Sequence, residues 1–474
     1  MILCPEDMAS LISAGNLSPA QKVIDALESR GEVWIVGGAV RDALLGISSE
    51  DLDMACSLSP AETTGILESI GCKVVPTGIA HGTVTAICDG LPIEITAYRT
   101  DGAYSDGRHP DAVSPARSIE EDLARRDFTV NAMAWHPTRG LIDPFGGCED
   151  LKAGIIRCVG VPEQRFTEDA LRILRALRFS SQLGFAIEDE TAKALRALKS
   201  RLDLLARERV AHEMERMLTG EYVLSVLLGY PDVLAQIIPE IEACVGCPQM
   251  TPYHCYDVWE HIARTVNATP PTPTLRWAAL LHDIGKPPAH VTTNGRSHFR
   301  GHAKLGLEIA RRVTEELHMP RAQADAICRL VLHHDDDVLL EEKSIRRFVS
   351  KMGSPELFFD LCDLKIADSD AHAPDHRLRG AQAQVLKDML AEMLAAGEPF
   401  AVRDLAIDGR DIMALGVEEG PDVGRVLHKL FDGVADGTLP NDRQALLERA
   451  SDLVGHSPAA RNAHTSSADA SREP

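Results

Sequence analysis

The sequence is poor in aromatic residues and contains no long apolar run. Aromatic residues make up 4% of the 474 residues, so sites that stack several bases on aromatic rings must be few. No stretch of about 18 apolar residues occurs, so no membrane-spanning helix is predicted. Residues 1–14 lack the basic segment and apolar run that mark a signal peptide. We therefore expect a cytoplasmic protein with no membrane partner.

The sequence also lacks a cysteine framework and an excess of basic charge. Its eleven cysteines are scattered, unlike those of small disulfide-rich secreted domains, so reduced thiols are expected. Acidic residues outnumber basic ones by 71 to 49, and the net charge of −22 argues against general binding to nucleic-acid phosphates. Any such contact must be local. Residues 165–216, with eleven Lys/Arg and nine Asp/Glu, are the candidate surface, although ordinary helical surfaces share this composition.

The pattern of apolar residues predicts a mixed sheet followed by helices. The apolar run 33–36 ends in two glycines and is followed by a helical pattern over 39–45, which indicates a strand, a tight turn and a helix. Further strands are predicted at 73–75, 84–87 and 93–98. From Thr167 onward the period is helical. Four apolar residues form one stripe of that first helix, namely Ala170, Ile173, Leu174 and Leu177.

Three carboxylates in the sheet region form a candidate metal site. Asp51 and Asp53 are separated by one residue, so in a strand both side chains point to the same face. Glu94 lies between two isoleucines that face the other way, and it offers a third carboxylate from a neighbouring strand. Such a cluster suits two magnesium ions, which bind carboxylates and substrate phosphates. An isolated Asp-x-Asp is usually a solvated loop, but the upstream glycines let the backbone approach a triphosphate closely.

A series of motifs in fixed order carries a family resemblance. The strings are GGAVRD at 37–42, DLD at 51–53 and RRDFTVNAM at 125–133, followed by motifs at 142–147, 165–179 and 208–213. Together they resemble the class II CCA-adding tRNA nucleotidyltransferases and bacterial poly(A) polymerases of the polymerase beta superfamily. The resemblance implies an α+β fold, with an α/β nucleotidyltransferase head and an elongated, mostly α-helical neck, HD domain and tail. It also implies tRNA, CTP and ATP as partners and Mg²⁺ as the cofactor of the head.

The resemblance assigns roles to individual residues of this sequence. Asp51 and Asp53 would be the catalytic metal ligands. Contact with the incoming nucleotide is implied for Gly38, Arg41, Arg126, Asp169, Arg172, Arg175 and Arg178.

Asp169 and Arg172 offer a physical means of choosing C and A without a template. They are three residues apart and would share a helix face. Cytosine and adenine each present an amino donor beside a ring-nitrogen acceptor, which an aspartate and an arginine match. Guanine and uracil would leave polar groups unpaired, at about 1–3 kcal/mol each. The alternative is an ordinary salt bridge on a helix surface.

An intact, turn-rich segment over residues 98–110 bears on the product. In the family it accompanies addition of A, so the resemblance favours full CCA or A-only addition. Poly(A) polymerase activity is the other alternative with the same head.

A second set of residues resembles the HD metal-dependent phosphohydrolases. The core ligands would be His261, His282, Asp283 and Asp368. His302, with His333 of the His333-His334 pair, offers a second metal position. Imidazole and carboxylate suit a divalent transition metal, whose bound water becomes a nucleophile. Such a domain can also be a scaffold without activity. A further alternative makes this site the principal activity, with the head a non-catalytic RNA-binding module.

These patterns predict six segments. They are a leader helix region at 1–30, the head at 31–155, a neck at 156–230 that selects the base and contacts tRNA, the HD domain at 240–400, a helical tRNA-binding tail at 401–455, and a disordered tail at 456–474.

Overall fold

The computed structural model describes residues 17–48, 52–78, 82–101 and 113–455. The predicted disordered tail at 456–474 lies outside these residues. The chain divides into two compact units, one of residues 1–242 with 316–319 and the other of residues 243–315 with 320–474. Among the described residues, no helix is long and apolar enough to cross a membrane. The six predicted segment boundaries stay a prediction.

The strands lie mainly in the first unit. They are β1 (Val33–Val36), β2 (Leu52–Cys56), β3 (Lys73–Gly78), β4 (Thr83–Cys88), β5 (Leu91–Ala97), β6 (Arg99–Asp101), β7 (Val113–Pro115), β8 (Ala134–His136), β9 (Gly140–Ile142), β10 (Ile155–Ile156), β11 (Ala186–Ile187), β12 (Val291–Thr293) and β13 (Arg296–His298).

The helices account for most of the remaining chain. They are α1 (Leu17–Glu28), α2 (Gly38–Leu44), α3 (Pro60–Ser69), α4 (Ile119–Ala124), α5 (Gly147–Ala153), α6 (Pro162–Glu168), α7 (Leu171–Leu183), α8 (Asp189–Ala197), α9 (Arg207–Leu218), α10 (Val223–Gly229), α11 (Pro231–Leu234), α12 (Glu240–Cys244), α13 (Val258–Ala268), α14 (Pro273–Leu281), α15 (Lys286–Ala289), α16 (His302–Glu316), α17 (Arg321–His333), α18 (Glu342–Met352), α19 (Pro355–Asp370), α20 (Leu378–Ala395), α21 (Gly409–Ala414), α22 (Pro421–Ala435) and α23 (Arg443–Gly455).

A seven-stranded sheet organises the first unit, in the order β3-β4-β5-β2-β1-β8-β9. The pair β2 and β5 is parallel and the other pairs are antiparallel. All four residues of β1 are buried, as expected for an apolar central strand. In β5, Ile93 and Ile95 are buried while Glu94 is exposed, because alternate side chains leave opposite faces. The predicted mixed sheet is confirmed.

The predicted helix beginning after Thr167 is wrong in one respect. The chain forms two helices, because α6 ends at Glu168 and α7 begins at Leu171. Between them Asp169 is extended, with φ −138° and ψ 105°. Its Oδ1 accepts a hydrogen bond from the Leu171 amide at 2.9 Å. Aspartate side chains compete in this way with helical backbone bonds, so the helix breaks here.

The expectation of reduced thiols is wrong for one pair of cysteines. Cys72, just before β3, and Cys88, the last residue of β4, form a disulfide. The two strands are antiparallel neighbours, and Lys73 pairs with Ile87. The register of this hairpin therefore brings the adjoining cysteines together, which the spacing of the two residues in the sequence does not reveal.

The second unit is helical apart from the hairpin β12-β13. Helix α19 packs against α13, α18 and α20, while α14 packs against α17. Helices α21, α22 and α23 share a separate apolar core, which contains Leu405, Ile407, Ile412, Leu430, Phe431, Val434, Ala435, Leu446 and Ala450.

Candidate functional site

The turn between β1 and α2 can be made only with glycine at its first position. Gly37 has φ +73°. Residues with a Cβ atom disfavour positive φ, whereas glycine adopts it readily. A Cβ atom at this position would also lie 2.8 Å from Nη1 of Arg126. The bare backbone of the turn therefore lies directly against the partly buried guanidinium group of Arg126.

Arg41 projects from α2 and is held by two side chains. Its Nη1 donates to Oδ1 of Asn131 at 2.6 Å, and its Nε donates to Oδ1 of Asp42 at 2.8 Å. Asn131 in turn donates from Nδ2 to Oδ1 of Asp127 at 3.2 Å. Because these bonds link separate segments, they fix the guanidinium of Arg41 relative to the motif at 125–133.

Asp127 is a buried anion that holds a second arginine. Arg175 donates from Nε to its Oδ2 at 2.7 Å. Burial disfavours the charged carboxylate, but the positive charges of Arg175 and Arg172 outweigh burial and lower the pKa of Asp127 to about 2. Asp127 therefore stays ionised at neutral pH and orients Arg175.

Asp169 and Arg172 flank the break between α6 and α7, so they do not share a helix face as predicted. Arg172 donates from Nη1 to Glu168 at 2.7 Å and from Nη2 to the Arg125 carbonyl at 2.9 Å. Asp169 accepts at Oδ2 from Nη2 of Arg209 at 3.2 Å. Different partners therefore fix the two side chains, and both side chains line one cavity.

Arg178 is the most deeply buried arginine of this group. Its Nη1 lies 3.0 Å from Oε1 of Glu213, and its guanidinium lies 4.2 Å from the ring centre of Phe179. Burial, with the positive charge of Arg175, lowers the pKa of Arg178 to about 10. The group still carries its charge at neutral pH.

These side chains surround one cavity of about 510 Å³, which has eight arginines and four aspartates in its wall. A cavity of this volume, lined by guanidinium groups, suits a compact polyanion such as a nucleoside triphosphate. The residues in its wall are Gly37, Gly38, Ala39, Arg41, Asp42, Asp53, Arg125, Arg126, Asp127, Asn131, Asp169, Leu171, Arg172, Arg175, Arg178, Phe179, Arg209 and Arg216.

Two of the three candidate magnesium ligands, Asp53 and Glu94, lie on the exposed face of β2 and β5. Asp53 and Glu94 are directly in register across these parallel strands, which lie about 4.8 Å apart in a sheet. Asp53 also lines the arginine cavity, whereas Glu94 is not among its wall residues. Asp51 lies outside the described residues.

The sequence prediction missed the partners that hold the arginines. Asn131, Asp127, Arg209 and Glu213 were not singled out as site residues. All four lie inside the motifs at 125–133 and 208–213. Motif membership was therefore the signal that could have identified them.

A cluster of imidazoles and carboxylates occupies the second unit. His261 lies in α13, Asp368 in α19, and His282 and Asp283 directly follow α14. Nε2 of His261 is 2.8 Å from Oδ1 of Asp368 and 3.3 Å from Oδ2 of Asp283. Nε2 of His282 is 3.2 Å from Oδ2 of Asp283. The four residues predicted from the sequence thus come together in one group that can hold a metal ion.

Asp283 also belongs to a second group, with His302 and His334. The Nε2 atoms of the two histidines lie 3.3 and 3.5 Å from its Oδ1. The prediction of His333 is wrong, because its Nδ1 lies 2.9 Å from Asp336 instead. Successive residues at a helix end point about 100° apart, so only one of the two neighbouring histidines faces the cluster.

The hydrogen bonds of this second group fit a cation. Nδ1 of His302 donates to the Phe299 carbonyl at 2.9 Å, and Nδ1 of His334 donates to the Val331 carbonyl at 2.8 Å. In the neutral rings both Nε2 atoms therefore carry lone pairs. They face each other at 3.1 Å. Two acceptors at this distance repel unless a proton or a metal ion lies between them.

Four family models match successive parts of the chain. The Poly A polymerase head domain matches residues 33–157, and the model described as "Probable RNA and SrmB- binding site of polymerase A" matches residues 184–244. The HD domain matches residues 252–372. The tRNA nucleotidyltransferase domain 2 matches residues 380–450.

Similarity to known proteins extends over most of the chain. A CCA-adding enzyme of Leuconostoc mesenteroides is 33% identical over 442 residues, which are 92% of this chain and 96% of the relative. A CCA-adding enzyme of Enterococcus faecalis is 31% identical over 90% of this chain and 94% of the relative. A crystal structure of the Bacillus stearothermophilus CCA-adding enzyme in complex with CTP aligns with a TM-score of 0.68 at 27% identity, over 94% of this chain and 99% of that chain.

Proposed function

The chain belongs to the family of CCA-adding enzymes, and on this premise we propose that it adds C, C and A to the 3′ end of tRNA from CTP and ATP. The observation that carries the proposal is the 510 Å³ cavity, which joins the Gly37 turn, Asp53 and eight arginines. The terminal hydroxyl of tRNA would attack the α-phosphate, and pyrophosphate would leave. We also propose that the protein works in the cytoplasm, as its composition predicts.

The head and HD families depend on metal ions, and we propose Mg²⁺ for the head. Asp51 and Asp53 would hold it, with Glu94 beside Asp53 on the next strand. When bound, two magnesium ions supply positive charge to the attacking and leaving oxygens. Carboxylate ligands and substrate phosphates are the environment that Mg²⁺ prefers.

The arginines would bind and orient the triphosphate before any chemistry occurs. Arg41 is fixed by Asn131 and Asp42, and Arg175 is fixed by Asp127. Guanidinium groups fixed in this way lose little conformational freedom when they bind phosphate. Gly38 begins α2 and would place backbone amides near the same phosphates.

Asp169 and Arg172 would read the base from either side of the α6–α7 break. Arg209 holds Asp169, while Glu168 and the Arg125 carbonyl hold Arg172. No direct bond between Asp169 and Arg172 is needed to fix them. An acceptor and a donor in fixed positions favour cytosine and adenine over uracil and guanine. Arg178, fixed by Glu213, would support the same nucleotide.

The proposal is tested with tRNA that ends before CCA, after C or after CC. With CTP and ATP, we expect additions of three, two and one nucleotides, read as product lengths on a gel. Addition to the CC end alone would identify an A-only enzyme, and long A tracts would identify a poly(A) polymerase. Either result would contradict CCA addition.

The paired metal groups favour a second function, metal-dependent hydrolysis of phosphate esters. Asp283 belongs to both groups, and they open on a cavity of about 610 Å³. Lys286, whose Nζ lies 2.5 Å from Oδ2 of Asp283, adds positive charge for a phosphate. Ni²⁺, Co²⁺ and Mn²⁺ suit the nitrogen-rich ligands. Hydrolysis of 2′,3′-cyclic phosphates or phosphomonoesters with these ions tests it, and no hydrolysis with any of them would leave the domain as a scaffold.

A further inference from the structure

A third set of histidines adjoins the two metal groups of the second unit. His254 precedes α13, His261 lies within it, and His372 follows α19. A ring nitrogen from each lies within 4.8 Å of the others. The ring centre of His254 is 5.0 Å from that of His261 and 4.5 Å from that of His372. His261 and His372 are stacked at 5.4 Å. Three imidazoles from separate segments thus converge on one point.

Two of these rings have unmet hydrogen-bonding capacity. The Nδ1 atoms of His254 and His261 are buried, and neither has a hydrogen-bond partner among the residues that the structure describes. A buried polar atom without a partner costs about 1–3 kcal/mol. Two such atoms within a cluster of three rings indicate a bound species that the polypeptide does not provide.

We infer that His254, His261 and His372 form a third position for a divalent transition metal, beside the two groups that share Asp283. This inference rests on the proposal that the HD-type cluster binds metal ions. Three imidazole nitrogens are a ligand set that first-row transition ions prefer. His261 also belongs to the neighbouring group, where its Nε2 lies 2.8 Å from Asp368. With both ions bound, its ring would lose the remaining N–H proton to solvent and bridge the ions as an imidazolate, through Nδ1 and Nε2.

The surroundings determine how such an ion is held and what it binds. None of its three ligands is a carboxylate, whereas each neighbouring group includes one, so this ion is the most weakly held. Oδ1 of Asp368 lies 3.7 Å from Nε2 of His372 and moderates the repulsion between ions. His254 and His372 line the 610 Å³ cavity together with Asp283 and His302. The ion therefore faces the cavity, where an oxygen of a phosphate ester can complete its coordination.

The test counts metal ions in the full chain. Protein stripped with a chelator is dialysed to equilibrium against a fixed concentration of Co²⁺ and analysed for cobalt per chain by mass spectrometry, after subtraction of the cobalt in the outer buffer. We expect His254→Gln and His372→Gln each to lose one cobalt relative to the unchanged protein. His376→Gln is the matched control, because its ring contacts Tyr253 on the wall of the same cavity but belongs to none of the three metal groups found among the described residues. It should lose none.

Two results would overturn the third position. Cobalt contents equal to that of the unchanged protein in both variants would mean that the rings bind only water. Loss of all cobalt from the second unit in both variants would make the two histidines supports of the Asp283 cluster and not ligands of a separate ion. His282→Gln tests the underlying proposal that the HD-type cluster binds metal ions at all. If this variant also loses no cobalt, the cluster binds no metal. Nucleotide addition by the head is assayed independently.

Discussion

At the scale of residues, the arginine cavity is built from pairs that hold each guanidinium before substrate arrives. Arg178 pairs with Glu213 and Arg175 with Asp127, and in each pair the carboxylate is buried. A buried charge without its partner is costly, so these acidic residues are as necessary to the cavity as the arginines. Asp53 differs, because it lies on the exposed face of β2, where losing its charge costs little stability.

Removal of either predicted magnesium ligand should abolish nucleotide addition without unfolding the protein. We expect Asp51→Ala and Asp53→Ala each to reduce addition at least a thousandfold, because each removes a ligand to the catalytic ions. For Asp53→Ala, the thermal midpoint should stay within about 2 °C of the unchanged protein, since exposed substitutions change stability little. Glu68→Ala, an exposed carboxylate on α3, is the control. Near-normal addition by either aspartate variant would refute the metal site.

Truncation of Arg172 should impair base selection more than tRNA binding. We expect Arg172→Ala to reduce the preference for CTP and ATP over UTP and GTP about tenfold or more, since a lost buried hydrogen bond is worth about 1–3 kcal/mol. Arg201→Ala is the matched control: Arg172 donates to the Arg165 carbonyl of α6 at 3.2 Å, and Arg201 likewise donates to a carbonyl of α6, that of Thr167, but lies outside the cavity. Competition assays with the four nucleotides measure the effect. Unchanged discrimination would contradict the base-reading role.

Sequence reasoning placed most motif residues of the site but not the bonds between them. The motif strings identified Arg41, Arg126 and Arg175. The partners of Arg41 and Arg175 lie far away in the chain, at Asn131 and Asp127, and spacing does not reveal these contacts. The choice of His333 over His334 failed because it depends on a rotation of about 100° at the end of a helix.

At the scale of elements, the sheet was predictable and the break between α6 and α7 was not. Continuous apolar residues specify β1, and alternation specifies β5. The helical period predicted from Thr167 onward continues through Asp169, although the side chain of Asp169 accepts a hydrogen bond from the Leu171 amide, where a new helix begins. The period of apolar residues indicates which helix face is buried. It does not reveal a side chain that replaces a helical backbone hydrogen bond and so ends the helix.

The close approach of Arg126 to the glycine turn before α2 can be tested by substitution of Gly37. Gly46, which follows the same helix, is the matched control. Gly37 and Gly46 both have positive φ, at +73° and +76°, but a Cβ at Gly46 would meet nothing within 4 Å. Gly46→Ala should lose about 1–2 kcal/mol of stability in chemical unfolding. Gly37→Ala should lose at least as much, because with φ +73° and ψ −133° its backbone is in a conformation that essentially only glycine adopts. Only Gly37→Ala should also lose nucleotide addition, by at least tenfold, because its methyl group displaces Arg126. Equal activities of the two variants would show that the approach of Arg126 to the turn is unimportant.

At the scale of the whole molecule, two sets of candidate metal ligands of different chemistry occur in two compact units. The first unit offers the carboxylates of Asp53 and Glu94 next to an arginine cavity. The second offers imidazoles around Asp283 and Asp368. Oxygen ligands favour magnesium, and mixed nitrogen and oxygen ligands favour transition metals. The two sites should therefore respond to different metals and to different substitutions.

A combined His282→Gln and Asp283→Asn variant should separate the two chemistries. We expect it to lose all hydrolysis of phosphate esters that Ni²⁺, Co²⁺ or Mn²⁺ supports, because it removes a ligand of one metal group and the carboxylate shared by both. Addition of CCA with Mg²⁺ should stay within about fivefold, a change in activation free energy of roughly 1 kcal/mol. Asparagine retains the volume of Asp283 and an acceptor for Lys286, 2.5 Å away, which limits the loss of stability. Circular dichroism verifies folding. If the folded variant cannot extend tRNA, the two activities are coupled and their assignment to separate sites is wrong.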